Sequence, residues 1–462
     1  MTPTTSDGRV EGSFRDPSGF LFRRDGKLFR QVNLCYHEHY DLLMSSGLYD
    51  ALTVADLLIL HTESDVAPPD PSLAYKVLQP EVVPFISHPY EWCFSQLKDA
   101  ALATLRIQKL ALEHGLCLKD ASAYNLQFHR GKPVLIDTLS FEAYREGRPW
   151  IAYRQFCQHF LAPLALMAHA DVRLGQLLRI YLDGVPLDLA SRLLPFRTRL
   201  SPGLQMHLHL HARSQARHAG TAVAPAGRVS RLALLGLIDS LESSVRRLTW
   251  RPHGTEWADY YSDTSYSEAG LKEKQRLVAD FITRADPRTA WDLGANTGLF
   301  SRLAAARGAL ALAFDLDPAA VERNYLTCRE AGEENLLPLV LDLANPSPGI
   351  GWRNRERASL LDRGPADLVL SLALVHHLAI SNHLPLPDIA DFLSNLGSHL
   401  IIEFVPKDDP QVRRLLATRE DIFTGYTPAA FETAFRRHFE ILSSAPIPDS
   451  GRVIYLMKRR DT

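Results

Sequence analysis

The side chains best suited to chemistry are carboxylates that close short apolar runs. Asp292 follows Arg288-Thr289-Ala290-Trp291 and opens onto Leu293-Gly294-Ala295-Asn296-Thr297-Gly298. The two glycines permit a tight turn and close backbone approach to a ligand, and the helix expected from Leu299 onward offers free N–H groups. Asp315 closes the run Ala309–Phe314, about 20 residues further on, where the hydroxyls of a nucleotide ribose are gripped. Asp342 closes a third run, Leu336–Leu341. A second set is Asp120, Asn125 and Asp137. Two acids and an amide on loops beside short strands suit magnesium ions and a phosphate chain. A third is His376-His377, where an imidazole titrating near neutrality suits a general base, with Glu403 as a further candidate.

These residues need a scaffold, and from Arg288 onward strand and helix patterns alternate as in a doubly wound α/β domain. A helix over Pro318–Gly332 starts at a Pro and stops at a Gly. The run Ala366–Ala373 leads into Leu374-Val375-His376-His377-Leu378, and Leu400–Val405 carries Glu403. The runs Phe439–Leu442 and Val453–Met457 read as a closing antiparallel pair. In the N-terminal half, Gly19–Val32 reads as two strands about an Asp25-Gly26 turn, and residues 94–114 carry apolar positions at helical spacing. The organisation expected is a disordered tail over 1–14, an α+β domain over 15–195, a basic linker over 196–228 and an α/β domain over 229–462. Within 196–228, His207, His209 and His211 alternate, which reads as one face of a strand or a solvated basic segment rather than a metal cluster.

Composition narrows the class. At 462 residues, 46% hydrophobic and 23% charged, the chain suits two or three globular domains. A net charge of −2 supplies no overall attraction to nucleic acid or anionic membrane. Cys35, Cys93, Cys117, Cys157 and Cys328 are scattered and lack C-x-x-C spacing, which points to reduced thiols, a cytoplasmic setting and no metal centre. No apolar run long enough for a membrane span is visible.

A dinucleotide site would require G-x-G-x-x-G, and Asn296, Leu299 and Phe300 break that pattern. D-x-G-x-N-x-G instead resembles motif I of the class I S-adenosylmethionine (SAM) dependent methyltransferases, with Asn in place of the usual Gly at position 296. That resemblance covers residues 255–460. It implies a Rossmann-like seven-stranded sheet and SAM as cofactor. Asp292, Gly294, Ala295, Asn296 and Gly298 would shape the methionine side. Asp315 would take the ribose and Asp342 the adenine, with Leu316, Leu343 and Ser371 also touching the cofactor. Ser371-Leu372-Ala373-Leu374-Val375-His376-His377-Leu378 is similar to the motif of small-molecule O- and C-methyltransferases, not to the D/N-P-P-Y of enzymes that methylate base amino groups. The acceptor expected is therefore a small molecule offering an O, N or C nucleophile. Tyr260, Tyr261 and Tyr266 ahead of motif I would form a lid over the cofactor, or their segment would simply pack an N-terminal helix against the sheet.

Asp120, Asn125 and Asp137 resemble the catalytic segment of protein-kinase-like folds, with Lys76 and Glu91 as a lysine–glutamate pair. Leu118-Lys119 and Thr138-Leu139 depart from that pattern, and no glycine-rich loop precedes it. A kinase-like phosphotransferase with a SAM-sensing C-terminal half is thus one alternative. RNA or protein methylation, using the N-terminal domain for recognition, is another, left open by the basic stretch 196–217. Pro89-Tyr90-Glu91-Trp92 and the Asp120–Asp137 segment ahead of the methyltransferase half make the whole chain similar to NoeA-related proteins of the host-specific nodulation type.

Overall fold

The computed structural model describes residues 8–212, 228–252, 266–417 and 420–460. The chain divides into two compact units, Met1–Arg251 with Ile350–Arg357, and Pro252–Gly349 with Ala358–Thr462.

The first unit is built on an antiparallel sheet of five strands, β1 (Gly8–Arg9), β2 (Gly19–Arg24), β3 (Lys27–Asn33), β4 (His61–Glu63) and β5 (Ala74–Pro80), in the order β1-β2-β3-β5-β4. Asp25 and Gly26, both with positive φ, make the tight turn between β2 and β3. Helix α1 (Phe94–Glu113) buries Leu97, Ala101, Leu105 and Leu112 at intervals of four or seven residues. After it come β6 (Leu116–Leu118), the loop of Asp120, the hairpin β7 (Leu126–His129) and β8 (Lys132–Leu135), Asp137, and β9 (Phe141–Ala143), which pairs with β6.

Three domain expectations are corrected here. Residues 8–14 are not a loose tail, because β1 pairs with β2. Residues 196–212 are not linker but short helical turns. His207 and His209 lie on a helical segment, Gln205–Leu210, and are buried. Tyr153 and Ser240 hydrogen-bond His207 at 2.9 Å each, and Ser191 and Thr198 bond His209 at 2.8 and 3.0 Å. The strand reading fails because these rings meet hydroxyls packed around a helix. Residues 213–227, the rest of the expected linker, lie outside the described residues. Finally, helix α2 (Arg231–Arg247) belongs to the first unit. Lys109 of α1 pairs with its Asp239 and Glu242 at 2.6 and 2.5 Å.

The segment Ile350–Arg357 is part of this first unit although it falls within the sequence of the second. Arg15 grips Glu356 through two bonds, at 2.6 and 2.9 Å. Gly12 and Gly351 both abut Glu356. A Cβ on Gly12 would lie 2.4 Å from its carbonyl oxygen, and one on Gly351 would lie 2.6 Å from its side chain.

The second unit opens with α3 (Glu268–Ala285), capped by Ser267, whose hydroxyl accepts from Gly270 N. Its sheet comprises β10 (Thr289–Leu293), β11 (Leu310–Asp315), β12 (Leu336–Val340), β13 (Ala366–Ser371), β14 (Gly397–Phe404), β15 (Phe439–Pro446) and β16 (Val453–Arg459). The spatial order is β12-β11-β10-β13-β14-β16-β15. The first five strands run parallel, and β16 enters antiparallel to both β14 and β15. Helices α4 (Leu299–Ala305), α5 (Pro318–Ala331), α6 (Leu386–Leu396) and α7 (Pro428–Phe435) accompany the strands. Leu277, Phe281 and Phe300 pack with Leu370, Ile401 and Ile454 to form the core beneath α3. Parallel strands bring the carboxyl ends of β10, β11, β13 and β14 to one edge, where ligands bind in such sheets. No helix of the described residues is long and apolar enough to cross a membrane.

Candidate active site

The turn after β10 is forced by backbone geometry. Gly294, Asn296 and Gly298 all have positive φ (77°, 50° and 81°). Asn tolerates this left-handed region better than most side chains, which accounts for its replacing a glycine. At Gly298 no side chain fits, since a Cβ would lie 2.5 Å from Asn324 Nδ2. Gly294 N and Ala295 N both donate to Phe314 O, at 2.8 and 2.9 Å, tying the loop to the end of β11.

Asp315 sits against that loop. Its carboxylate accepts from Asn296 N at 2.7 Å and from Asp317 N at 2.8 Å. Burial pushes it up to about 6 against those bonds. Asp292, inside the sheet edge, accepts from Ser301 Oγ at 2.6 Å, and burial drives it to about 7, with the Asp315 charge adding to the rise. A buried and a half-buried carboxyl, both raised toward neutrality and neither in an ion pair with a cation among the described residues, suit a ligand that brings positive charge and hydroxyl donors. Asp342 lies at the end of β12 and accepts from Ala344 N at 2.8 Å. Leu316 is exposed beside Asp315, and Leu343 is half-buried. Ser371 Oγ, Asp317 Oδ2 and Asn324 Nδ2 are buried without a hydrogen-bond partner among the described residues. This donor and acceptor set fits SAM, with its sulfonium, ammonium and ribose hydroxyls.

His376 and His377 follow β13, their rings 4.1 Å apart. Both are held neutral. Burial, with the charges of His377, Arg452 and Lys274, takes His376 well below its ordinary value; burial and Arg452 take His377 to about 4. His376 is enclosed and its Nδ1 has no partner among the described residues, whereas His377 is half-buried.

Glu403 is not placed as a base. It is fully buried, with Lys274 Nζ on Oε2 at 2.7 Å, the Tyr266 hydroxyl on Oε1 and Arg452 at 3.4 Å. Burial alone would raise it, but Lys274 and Arg452 outweigh that and hold it below the usual carboxylate range. Arg452 in turn binds Asp409 through two nitrogens, at 2.7 and 3.0 Å. Lys274 Nζ also donates to Tyr266 at 2.9 Å and lies 4.9 Å from the centre of the Phe300 ring. Tyr266, expected in a lid, is therefore an anchor at the foot of α3. Tyr260 and Tyr261 lie outside the described residues. Sequence reasoning missed this array, although one signal was present: Lys274 interrupts the buried stripe of Gly270, Leu277, Val278 and Phe281.

In the first unit Asp120, Asn125 and Asp137 share one neighbourhood. Asn125 Nδ2 lies 3.4 Å from Ser140 Oγ, which donates to Asp137 at 2.6 Å. Asp137 is bound to Arg30. Burial favours its neutral form, but Arg30, Ser140 and Leu139 N–H together hold it below the ordinary range. Asp120 accepts from Gln155 at 2.7 Å and from Ser122 N at 2.9 Å, yet burial still raises it. The Arg357 guanidinium lies over the Tyr124 ring at 4.6 Å. The expected Lys76–Glu91 pair does not form. Lys76 pairs with Glu63 at 2.6 Å, and Glu91 is buried, accepting from His88 N at 2.8 Å. No group of three or more His, Cys, Asp or Glu among the described residues could hold a metal ion.

A sheet of this order, with a glycine loop after β10 and acids at the ends of three successive strands, gives the second unit the architecture of a doubly wound domain that takes a ligand at the carboxyl ends of its strands. No protein-family model matches the chain. Over 470 residues it is 36% identical to nodulation protein NoeA of Rhizobium meliloti (strain 1021), covering 98% of this chain and 97% of that protein. The chain belongs to the NoeA family. Among solved structures, magnesium protoporphyrin IX methyltransferase (ChlM) of Synechocystis PCC 6803 with bound SAH is 20% identical with a TM-score of 0.31, covering 43% of this chain and 91% of that one. N-methyltransferase NodS of Bradyrhizobium japonicum WM9 is 11% identical with a TM-score of 0.30, covering 42% and 99%.

Proposed function

We propose that the second unit transfers the methyl group of SAM to a small-molecule acceptor. The observation carrying this reading is the pair Asp292, buried, and Asp315, half-buried, whose carboxyls are raised to about 7 and about 6 beside a left-handed glycine loop. Bound SAM supplies a methyl group already activated on a sulfonium. Asp292 and the loop would hold the methionine end, Asp315 the ribose hydroxyls, and Asp342 the adenine amino group, with Leu316 and Leu343 against the base. Positioning then supplies most of the rate, because an aligned nucleophile needs little further activation. His377, neutral and half-buried, would accept the proton that a hydroxyl or amine acceptor loses. His376 would orient it from behind. The sequence Ser371–Leu378, which lacks D/N-P-P-Y, favours a small molecule over a nucleobase amino group.

Incubating the full-length protein with methyl-labelled SAM and fractionated small molecules, RNA or protein tests this. Label in a small-molecule fraction, reduced by His377→Ala, is expected. Label found only in RNA or protein would overturn the acceptor class, and no transfer into any fraction would overturn the reaction.

A further inference from the structure

The second unit also contains a cleft of about 460 Å³ bounded by the starts of α6 and α7. Leu384, Leu386, Phe423, Ala430 and Ala434 give it apolar walls. Its polar lining is largely spent on the protein itself. The Tyr426 hydroxyl donates to Val405 O at 2.9 Å, and Thr433 Oγ donates to Ala429 O at 2.7 Å. Arg437 is the one charged residue of the lining; it is exposed and has no ion-pair partner among the described residues.

One wall continues from the strand end that carries His377, and the other packs against the end of β14. Ala379, in the cleft, belongs to the same helical turn, His377–Ser381, as His377. Tyr426 stacks on Phe404, the last residue of β14, with ring centroids 5.0 Å apart, and is bonded to the backbone of the next residue. A concave site with apolar walls and one charge is the usual form of a small-ligand pocket, the apolar part supplying affinity and the charge orientation.

We propose that this cleft holds the apolar body of the methyl acceptor and that Arg437 engages an acidic group on it, so that the acceptor is an amphiphilic acid. This rests on the methyl-transfer reading above. A neutral sugar or a bare amine would leave both features unused.

The test is a fluorescence titration of the folded full-length protein with 1-anilinonaphthalene-8-sulfonate, fused apolar rings carrying an anion, alongside calorimetric titration with SAM. Saturable dye binding is expected. Ala430→Trp, which fills the cleft, should weaken it by about tenfold and leave SAM binding unchanged. Arg437→Glu should weaken the sulfonate dye while leaving its neutral analogue N-phenyl-1-naphthylamine bound as before, which decides the matter if the tryptophan variant does not fold. Absence of dye binding by the wild type, equal binding by a folded Ala430→Trp, or an unchanged sulfonate affinity in Arg437→Glu would each overturn the proposal. Dye binding lost in Ala430→Trp by a wild type that binds no SAM would uphold the apolar site and overturn its link to methyl transfer.

Discussion

Asp292 and Asp315 in the second unit and Asp137 in the first begin from the same sequence logic and end in opposite electrostatic states. Asp292 and Asp315 stand at strand ends with hydroxyl and N–H partners but, among the described residues, no cation in an ion pair, and burial pushes both up. Asp137 also follows a short strand, yet Arg30 has already claimed it and it is held down. The nearby cations of the second unit do not break this pattern, because Lys274 and Arg452 are consumed by Glu403 and Asp409. Acids that end strands thus mark a ligand site only where the protein withholds its own cations from them.

The largest effect expected on breaking this arrangement is in stability. Lys274→Met removes one partner of a pair that is wholly inside the protein (side chains 3% and 0% exposed). It should lower unfolding free energy by about 3 kcal/mol in a denaturant titration, since Glu403 would be left fully buried with only the Tyr266 hydroxyl and Arg452, 3.4 Å away and already bound to Asp409. An unchanged midpoint would mean that Glu403 is solvated. Arg30→Met in the first unit should cost less, about 2 kcal/mol, because the pair keeps some access to solvent and Ser140 and Leu139 N–H still hold Asp137. A loss as large as that of Lys274→Met would erase the distinction between the two pairs.

The comparison is sharpened by pH. Raised carboxyls are protonated in the free protein below about 7 for Asp292 and about 6 for Asp315. A cationic cofactor favours the ionised forms, so SAM affinity should climb as pH rises through that window and fall on acidification. S-adenosylhomocysteine lacks the sulfonium charge, so its affinity should change less. Parallel pH profiles for the two ligands would remove Asp292 from the cationic end of the site. The smallest effect belongs to Asp342→Ala. Loss of one hydrogen bond to a neutral amino group should weaken SAM by about 1 kcal/mol, read by calorimetry.

How much of this was legible in the sequence depended on range. The loop 294–298, the acids 292, 315 and 342 and the alternation that separates them are local patterns, and glycines that must take positive φ advertise themselves. The closing pair β15 and β16 was equally local. In contrast, the Tyr266–Lys274–Glu403–Asp409–Arg452 array draws on segments scattered across the second unit, so only tertiary packing assembles it. Glu403 looked like a base because its sequence position gave no hint of two buried cations. The excursion Ile350–Arg357 was hidden for the same reason: nothing local to Glu356 announces Arg15. The alternating His207, His209 and His211 misled because alternation usually marks a strand, whereas these rings lie on a helical segment packed among hydroxyls.

The central claim, that the second unit holds SAM through unpaired strand-end acids, is tested most directly by calorimetric titration of the wild type and of Asp315→Ala with SAM. One-site binding by the wild type and its loss in a folded Asp315→Ala are predicted. No binding by the wild type, or equal binding by the variant, would contradict the account.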